Sequence, residues 1–292
     1  MIPLKTARKT TQKSTVKRNR ALSARPLLSL VRRIEDFLIP PLCVVCDKPL
    51  SGGSKWFCGG CIDSLALNHT ARDACPRCAV NRRKRECACE FAWDFPFEKI
   101  FSLYDYDDTM SSIARHIKYK GKGQLAYYMG IISAPFIPDD FFNGIDFVIP
   151  VPLHKARMRK RGYNQAEFFA NGLLKGLAHK DTPHPEGMHR LVGNAPPIDF
   201  QHPEGMRPLL LRTDLLTRIR NTGTQTQLDR EGRLENLAGA FACNLKDIKD
   251  TRDKKVVLVD DILTTGATTE ACTEELLRAG FASVRVLSLG RD

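Results

Sequence analysis

The sequence has no hydrophobic run of the roughly 20 residues that a membrane span requires, and its amino terminus lacks the apolar block of a secretory signal. These absences predict a globular protein without a membrane span, located in the cytoplasm. At 292 residues, 42% of them hydrophobic, the chain is long enough for one full-sized domain and a smaller one.

Acidic residues are absent from residues 1–33, which contain ten lysines or arginines, so most of the formal net charge of +12 comes from this tail. Its low apolar content predicts disorder. We interpret the tail as a solvated extension, with an electrostatic arm for nucleic acid as the alternative. The leader, residues 1–39, ends in a predicted short amphipathic helix over residues 26–39, which Pro40 and Pro41 terminate.

Cysteine is scarce outside residues 43–89, which hold eight of the ten; Cys243 and Cys272 are interpreted as core residues. Residues 40–95 have too few apolar runs for a core of their own, so metal is expected to substitute for one. The eight cysteines form four close pairs, three with the two-residue separation of zinc knuckles. They predict two structural Zn²⁺ sites in a double zinc ribbon, whereas disulfides are disfavoured in a cytoplasmic chain. The candidate ligands are Cys43, Cys46, Cys58, Cys61, Cys75, Cys78, Cys87 and Cys89.

Two properties of this ribbon stay open at the sequence level. The ligands could pair sequentially, the first four around one ion and the last four around another, or they could interleave. The basic run over residues 82–85 indicates either a nucleic-acid contact or a solvated hairpin tip.

From Glu98 onward, predicted strands and helices alternate. Strands are predicted over residues 99–104, 145–149, 256–259 and 283–289, and helices over 165–177 and 268–279, with a basic loop after the second strand. This order predicts an α/β fold over residues 98–292, with a mostly parallel sheet flanked by helices. A Pro-rich segment at about 178–211 interrupts the order and is interpreted as an inserted surface loop, either a lid or an insertion without a function.

A candidate phosphate site follows the third strand, in the sequence VVLVDDILTTGAT at residues 256–268. A helix N-terminus offers unpaired N–H groups and the positive end of its dipole, Gly266 allows close backbone approach, and threonine hydroxyls add donors. Two adjacent carboxylates would repel phosphate, so at least one is expected to accept hydrogen bonds from ribose hydroxyls. The candidate residues are Asp260, Asp261, Thr264, Thr265, Gly266, Ala267 and Thr268.

This segment resembles the phosphoribosyl-diphosphate (PRPP) signature of type I phosphoribosyltransferases. The resemblance implies a site for PRPP with Mg²⁺, with the acidic pair on the ribose and the Thr-rich loop on the 5′-phosphate. A second cationic segment, residues 155–161, has five lysines or arginines in seven residues. Arg157 and Arg161 are the candidates for neutralising pyrophosphate.

Two further motifs, RGYNQA at residues 161–166 and RNTGTQTQLDREGRLENLAGAF at 220–241, resemble the ComF family of competence-associated proteins. The resemblance runs from about Pro40 to Arg291 and implies the double zinc ribbon, a phosphoribosyltransferase-like domain and a link to DNA uptake. Partners implied are PRPP, single-stranded DNA bound by the tail and ribbon, and other DNA-uptake proteins. The sequence contains no element that names an acceptor. The alternatives are therefore a phosphoribosyltransferase with an unidentified acceptor, and a non-catalytic single-stranded DNA-binding or ligand-sensing protein on the same fold.

Overall fold

The computed structural model describes residues 40–50, 55–67, 73–84, 86–87, 95–178, 209–222, 230–248 and 250–292. The predicted basic tail, the helix over 26–39, Cys89 and most of the 178–211 insertion lie outside these residues. Residues 42–292 form a compact unit. Within the described residues, no helix is both long enough and apolar enough to cross a membrane.

The described elements, in chain order, are seven α-helices and seven strands. They are α1 (Gly59–Leu67), β1 (Lys99–Asp105), α2 (Asp108–Tyr119), α3 (Gly123–Ser133), β2 (Phe147–Pro150), α4 (Lys155–Arg161), α5 (Gln165–Leu177), β3 (Leu210–Leu211), β4 (Leu216–Arg218), α6 (Arg230–Leu237), β5 (Phe241–Cys243), β6 (Lys255–Leu263), α7 (Ala267–Arg278) and β7 (Ser283–Arg291).

Five strands form one sheet in the order β1-β7-β6-β2-β3, and every neighbouring pair is parallel. The central strands β6 and β7 are buried at every position after the first, because both faces of the sheet are covered. One buried cluster packs α2, α3 and α5 against one face, and a second packs α7 against the other. The predicted parallel α/β fold is confirmed.

Three local predictions were wrong. The strand expected to end at Val259 continues to Leu263, so both aspartates lie on β6 rather than in a loop. The basic segment predicted as a loop forms the helix α4, which His154 caps by accepting from the Ala156 N–H at 3.2 Å. Leu210 and Leu211, assigned to the insertion, pair with β2 as the edge strand β3.

A small antiparallel sheet of β4 and β5, which the sequence did not predict, follows the edge strand. Its inner residues Leu216 and Phe241 join the cluster beneath α7. The ComF-like segment at 220–241 contains the whole of α6 and, at Phe241, the first residue of β5.

Helices α3 and α5 cross so closely that side chains do not fit between them. A Cβ on Gly172 would lie 1.9 Å from the Tyr127 carbonyl oxygen, and one on Gly130 would lie 2.4 Å from that of Phe169. These two glycines bring the backbones into contact.

Candidate functional site

The two adjacent carboxylates lie near the carboxyl end of β6, where open parallel sheets place their ligands. Asp260 is 9% exposed and Asp261 is 6% exposed. The Asp261 N–H donates to Oδ1 of Asp260 at 2.8 Å, so the pair supports its own geometry.

Lys118, which the sequence reasoning missed, neutralises one of these acids. Its Nζ lies 3.1 Å from Oδ2 of Asp261, an ion pair without the alignment of a directed hydrogen bond. Burial, the largest single influence, works against ionisation of Asp261, but the charge of Lys118 and the hydrogen bonding with Asp260 together outweigh it and lower the pKa of Asp261. Burial and the neighbouring charge of Asp261 together raise the pKa of Asp260 well above its ordinary value. The two carboxyls therefore differ: Asp261 is the stable anion, and Asp260 holds its proton more tightly.

Interactions at both ends of α2 fix the position of Lys118. Asp107 caps α2 by accepting from the Met110 N–H at 2.9 Å, and the apolar face of that helix packs into the core. At the other end of the helix, the Tyr163 hydroxyl donates to the carbonyl oxygen of Ile117. Tyr163 belongs to the RGYNQA motif, so this motif anchors the turn that carries Lys118.

The segment from Thr264 to Thr268 connects β6 to α7. Gly266 has φ +82°, a left-handed conformation that suits glycine, and is the N-cap residue of α7 without a side-chain cap. Thr264 is exposed, and Thr265 and Thr268 are half-buried. The first N–H groups of the helix and the adjacent hydroxyls therefore lie where an anion can bind.

The predicted pyrophosphate residues lie on α4, which follows the neighbouring strand β2. Arg157 donates to the Thr222 carbonyl oxygen at 3.2 Å, and Arg161 donates to Oε1 of Gln165. Arg218 on β4 is a further cation that the sequence did not single out. It is 7% exposed, its Nε has no hydrogen-bond partner in the described residues, and burial followed by the charge of Arg157 lowers its pKa. Arg218 thus lies close enough to Arg157 for their charges to repel, and an anion bound between them would relieve that repulsion.

The cysteines form two clusters, one from Cys43, Cys46, Cys58 and Cys61, and the other from Cys75, Cys78 and Cys87. Within each cluster, the sulfurs lie within 4.8 Å of one another. This grouping agrees with the sequential pairing, in which the first four cysteines bind one ion and the last four bind another. The eighth cysteine, Cys89, lies outside the described residues. All nine described cysteines are free of disulfides.

The first two cysteines of each cluster lie in knuckles of the same backbone shape. The residue after the second cysteine has a left-handed φ in both, +57° at Asp47 and +59° at Ala79. An isolated antiparallel β-bridge closes each turn, Leu42 with Pro49 in the first and Ala74 with Asn81 in the second. A repeated, strained turn of this kind is typical of a site that the chain is built to form.

The sulfur separations fit a tetrahedral ion. Cys46 and Cys58 are 3.6 Å apart, and Cys78 and Cys87 are 3.3 Å apart, close to the roughly 3.8 Å edge of a tetrahedron with zinc–sulfur bonds of about 2.3 Å. Burial works against ionisation of the Cys43 thiol, yet backbone N–H donors outweigh it and lower its pKa to about 7. Both clusters could hold zinc.

Both clusters contact the helices and strands that follow them in the chain. Val44 and Trp56, beside the first cluster, belong to the core that includes α2, and Ser112 donates to the Val44 carbonyl oxygen at 2.7 Å. Beside the second cluster, Asn81 donates to Oδ2 of the buried Asp105, the last residue of β1, at 2.9 Å. The second cluster therefore lies at the carboxyl edge of the sheet.

Residues 210–290, which include the acidic pair and the glycine turn, match the family model of the phosphoribosyl transferase domain. Over nearly its whole length the chain is similar to the DNA utilization protein YhgH of Shigella flexneri, with 25% identity over 259 residues, 87% of this chain and 98% of that protein. It is 23% identical to competence protein ComFC of Bacillus subtilis over 267 residues, 83% of this chain and 91% of the relative. Competence protein F of Haemophilus influenzae matches 49% of each chain at 28% identity. The resemblance to ComF proteins that the motifs predicted is confirmed.

Three side chains of the site escaped the sequence reasoning: Lys118, Arg218 and Arg291. Lys118 and Arg218 are more than 40 residues from the acidic pair, and charged residues are common, so their type carries no signal. Arg291, the penultimate residue, is only 7% exposed. The sequence signals the burial of Arg291 in one way, because a basic residue there ends a largely apolar strand.

Proposed function

We propose that this protein binds PRPP together with Mg²⁺ at the carboxyl edge of the sheet, and that it acts in the cytoplasm in DNA uptake or use. The observation that carries the proposal is the buried acidic pair on β6, placed directly before a glycine-capped helix N-terminus. Carboxylates that can accept hydrogen bonds from a sugar lie a few residues from backbone N–H groups that can donate to a phosphate. A phosphorylated ribose requires both. The names of the relatives, DNA utilization and competence proteins, support the cellular setting.

Each group has a chemical role in this proposal. Asp261, held ionised by Lys118, accepts hydrogen bonds from the ribose hydroxyls, and Asp260 lies beside it. The segment from Thr264 to Thr268 binds the 5′-phosphate. Arg157 and Arg161 neutralise pyrophosphate, and the buried Arg218 adds to the positive potential. When Mg²⁺ accompanies PRPP, it supplies part of the positive charge that pyrophosphate needs, and carboxylates are ligands that it accepts.

If the protein is an enzyme, it is a phosphoribosyltransferase. An acceptor then forms a bond to the anomeric carbon as the bond to pyrophosphate breaks, and Asp260 and Asp261 favour the positive charge that develops on the sugar. Release of pyrophosphate across a panel of bases and amines tests turnover. A response to one acceptor supports the enzyme, and no response to any of them supports a binding or sensing role.

Titration calorimetry with PRPP and Mg²⁺ tests the site itself. The wild-type protein should give saturable heat, and Asp261→Asn should bind at least about tenfold more weakly, the loss expected for a hydrogen bond to a charged group. Asp146→Asn is a matched control, because Asp146 pairs with Lys254 at 2.9 Å at the opposite edge of the sheet. Absence of heat from the wild type, or equal affinity of Asp261→Asn, would reject the site.

A second function, single-stranded DNA binding, is favoured by the surface at the end of α2. Tyr119 is 76% exposed and is followed by the exposed Lys120, with Lys122 nearby in sequence. Exposed aromatic rings among cations stack on nucleic-acid bases. The basic turn of the ribbon supports this function less, because Arg83 pairs with Asp73 at 2.8 Å and Lys84 with Asp105 at 3.0 Å.

Fluorescence anisotropy with a labelled single-stranded oligonucleotide, over a series of salt concentrations, tests this second function. Tyr119→Ala should weaken binding, whereas Ile219→Ala, which removes another exposed apolar side chain, should not. Equal affinities of the two variants would exclude the Tyr119 surface. A truncated variant lacking residues 1–33 measures the contribution of the tail.

A further inference from the structure

The second cysteine cluster and the phosphate segment share a hydrogen-bonding side chain. Arg291, the last residue of β7, donates from Nε to the Cys78 carbonyl oxygen at 2.8 Å. The two hydrogens of its Nη1 are shared among three carbonyl oxygens, those of Leu263 at 3.2 Å, Thr264 and Asp292. One planar guanidinium therefore joins a residue of the cysteine cluster to the first residue of the phosphate segment.

We propose that Arg291 is a positioning residue for the phosphate segment at 264–268, and that it makes the geometry of this segment depend on the second cysteine cluster. This inference rests on the proposed function, because the segment it positions is the proposed phosphate site. Arg291 does not itself bind ligand in this proposal. It fixes the carbonyl groups at the start of the segment, and so the direction of the amides that follow.

Burial makes this role effective. Arg291 is 7% exposed and Cys78 is 4% exposed, so neither group exchanges its hydrogen bond for one to water without opening the structure. The five donors of a guanidinium are coplanar and fixed in direction, so a single side chain can hold carbonyl groups from two segments in one arrangement.

Apolar contacts follow the same route. Phe95 packs against Cys75, Cys78 and Val80, and its ring would lie 3.5 Å from a Cβ placed on Gly266. Ala79 of the same knuckle belongs to a small buried cluster that includes Leu263, the residue before Thr264. The segment at 264–268 is thus linked to the cysteine cluster through the polar Arg291 and the apolar Phe95.

A metal in the cluster would strengthen this link. Cys75 and Cys78 lie in one knuckle and Cys87 lies outside it, and a common ion would fix the carbonyl of Cys78 that Arg291 binds. The order of the phosphate segment would then depend on whether this cluster is intact. The first cluster offers a contrast, because it contacts α2 through Val44 and Ser112.

Amide hydrogen exchange of the ligand-free protein tests the proposal without relying on PRPP. Arg291→Lys should increase exchange in residues 264–268, because an ammonium group cannot maintain the planar set of contacts. The matched control is Arg285→Lys at the other end of β7. Arg285 is 6% exposed, and it donates to the carbonyl oxygens of Phe141 at 2.6 Å and Asn143 at 3.1 Å. Arg285→Lys should therefore lower the stability of the protein but leave amide exchange in residues 264–268 unchanged.

Cys87→Ser tests the same link from the cluster, and also serves if Arg291→Lys fails to fold. It should increase exchange in residues 264–268, whereas Cys46→Ser in the first cluster should increase exchange in α2 instead. Unchanged exchange in 264–268 for Arg291→Lys and for Cys87→Ser, or an equal increase for Arg285→Lys, would overturn the proposal.

PRPP binding by the same variants connects the link to function. Arg291→Lys should weaken PRPP binding about tenfold, with Arg285→Lys close to wild type. If the wild-type protein does not bind PRPP, the proposed function fails, whereas the exchange experiment still decides whether Arg291 orders the segment. An exchange effect without any change in affinity would reject the positioning role for PRPP.

Discussion

Lys118 lies with its Nζ 3.1 Å from Oδ2 of Asp261, and this contact joins the end of α2 to the proposed ribose site. Burial works against the charge on Lys118, but Asp261 outweighs it and raises the pKa of the lysine. The pair is therefore fully ionised at neutral pH and forms part of the site before any ligand binds.

Lys118→Met should lower both stability and PRPP affinity. It leaves the buried Asp261 without its counter-charge, and we expect a loss of about 1–2 kcal/mol in the free energy of unfolding, reduced from the value for a fully buried pair because Lys118 is partly exposed. Urea denaturation and calorimetry with PRPP measure the two effects. In the control Lys254→Met, which removes the partner of Asp146, PRPP affinity should stay at the wild-type value. Wild-type affinity in Lys118→Met would show that the pair is structural only.

Asp260→Asn should stabilise the protein while weakening PRPP binding. Burial and the charge of Asp261 raise the pKa of Asp260, so the folded protein binds this proton more tightly than the unfolded chain does. Asp260 therefore destabilises the folded protein, and this cost grows as the pH rises above 3.8, the ordinary pKa of an aspartate carboxyl. An uncharged asparagine can still accept from the Asp261 N–H, and we expect a gain on the order of 1 kcal/mol at neutral pH. Thermal unfolding at pH 7 checks this, and a lower melting temperature than wild type would contradict it.

The two cysteine clusters predict about two zinc ions per chain, measurable by plasma mass spectrometry of the purified protein. Cys46→Ser should lower the content toward one ion, whereas Cys243→Ser, which changes a cysteine outside both clusters, should leave it unchanged. A measured content well below one zinc ion per wild-type chain would reject the zinc-ribbon hypothesis.

Glu98 predicts a loss of stability in acid. Burial works against its ionisation, but hydrogen bonds from Arg285 at 2.9 Å and Ser283 at 2.8 Å outweigh burial and lower its pKa. A lowered carboxyl pKa stabilises the fold above the ordinary value of 4.5, and this contribution disappears as the pH falls below 4.5 through the lowered pKa. The melting temperature should therefore fall less between pH 6 and pH 3 in Glu98→Gln than in wild type. Parallel curves for the two proteins would contradict this.

Gly172→Ala should destabilise the protein by about 3 kcal/mol or more, because the added methyl group would lie 1.9 Å from the Tyr127 carbonyl oxygen and would force α3 and α5 apart. Gly60→Ala in α1, where no atom lies within 4 Å of the added Cβ and φ is not positive, separates this steric effect from the backbone effect of losing a helical glycine. Equal losses in the two variants would show that the close helix crossing is unimportant.

The sequence by itself determined the elements whose signals are local. The apolar run at 256–259, the glycine after two threonines and the repeated cysteine spacing each depend on neighbouring residues, and each predicted its structure correctly in kind. The acidic pair was found for the same reason. The strand boundary at Val259 was wrong because a carboxylate usually ends an apolar run, whereas pairing of Asp260 with Ser288 and of Ile262 with Gly290 extends the strand through it.

Only the tertiary structure decided which distant residues meet at the site. Parallel strands bring their carboxyl ends to one edge, so Asp105, Asp261 and Arg291 lie along a single edge of the sheet although up to 186 positions separate them in the chain. The pairing of Lys118 with Asp261, the placement of Arg218 near Arg157, and the contact of Arg291 with Cys78 all follow from that geometry. Local sequence patterns describe periodicity along one segment, and a single charged side chain has no period that could reveal its partner.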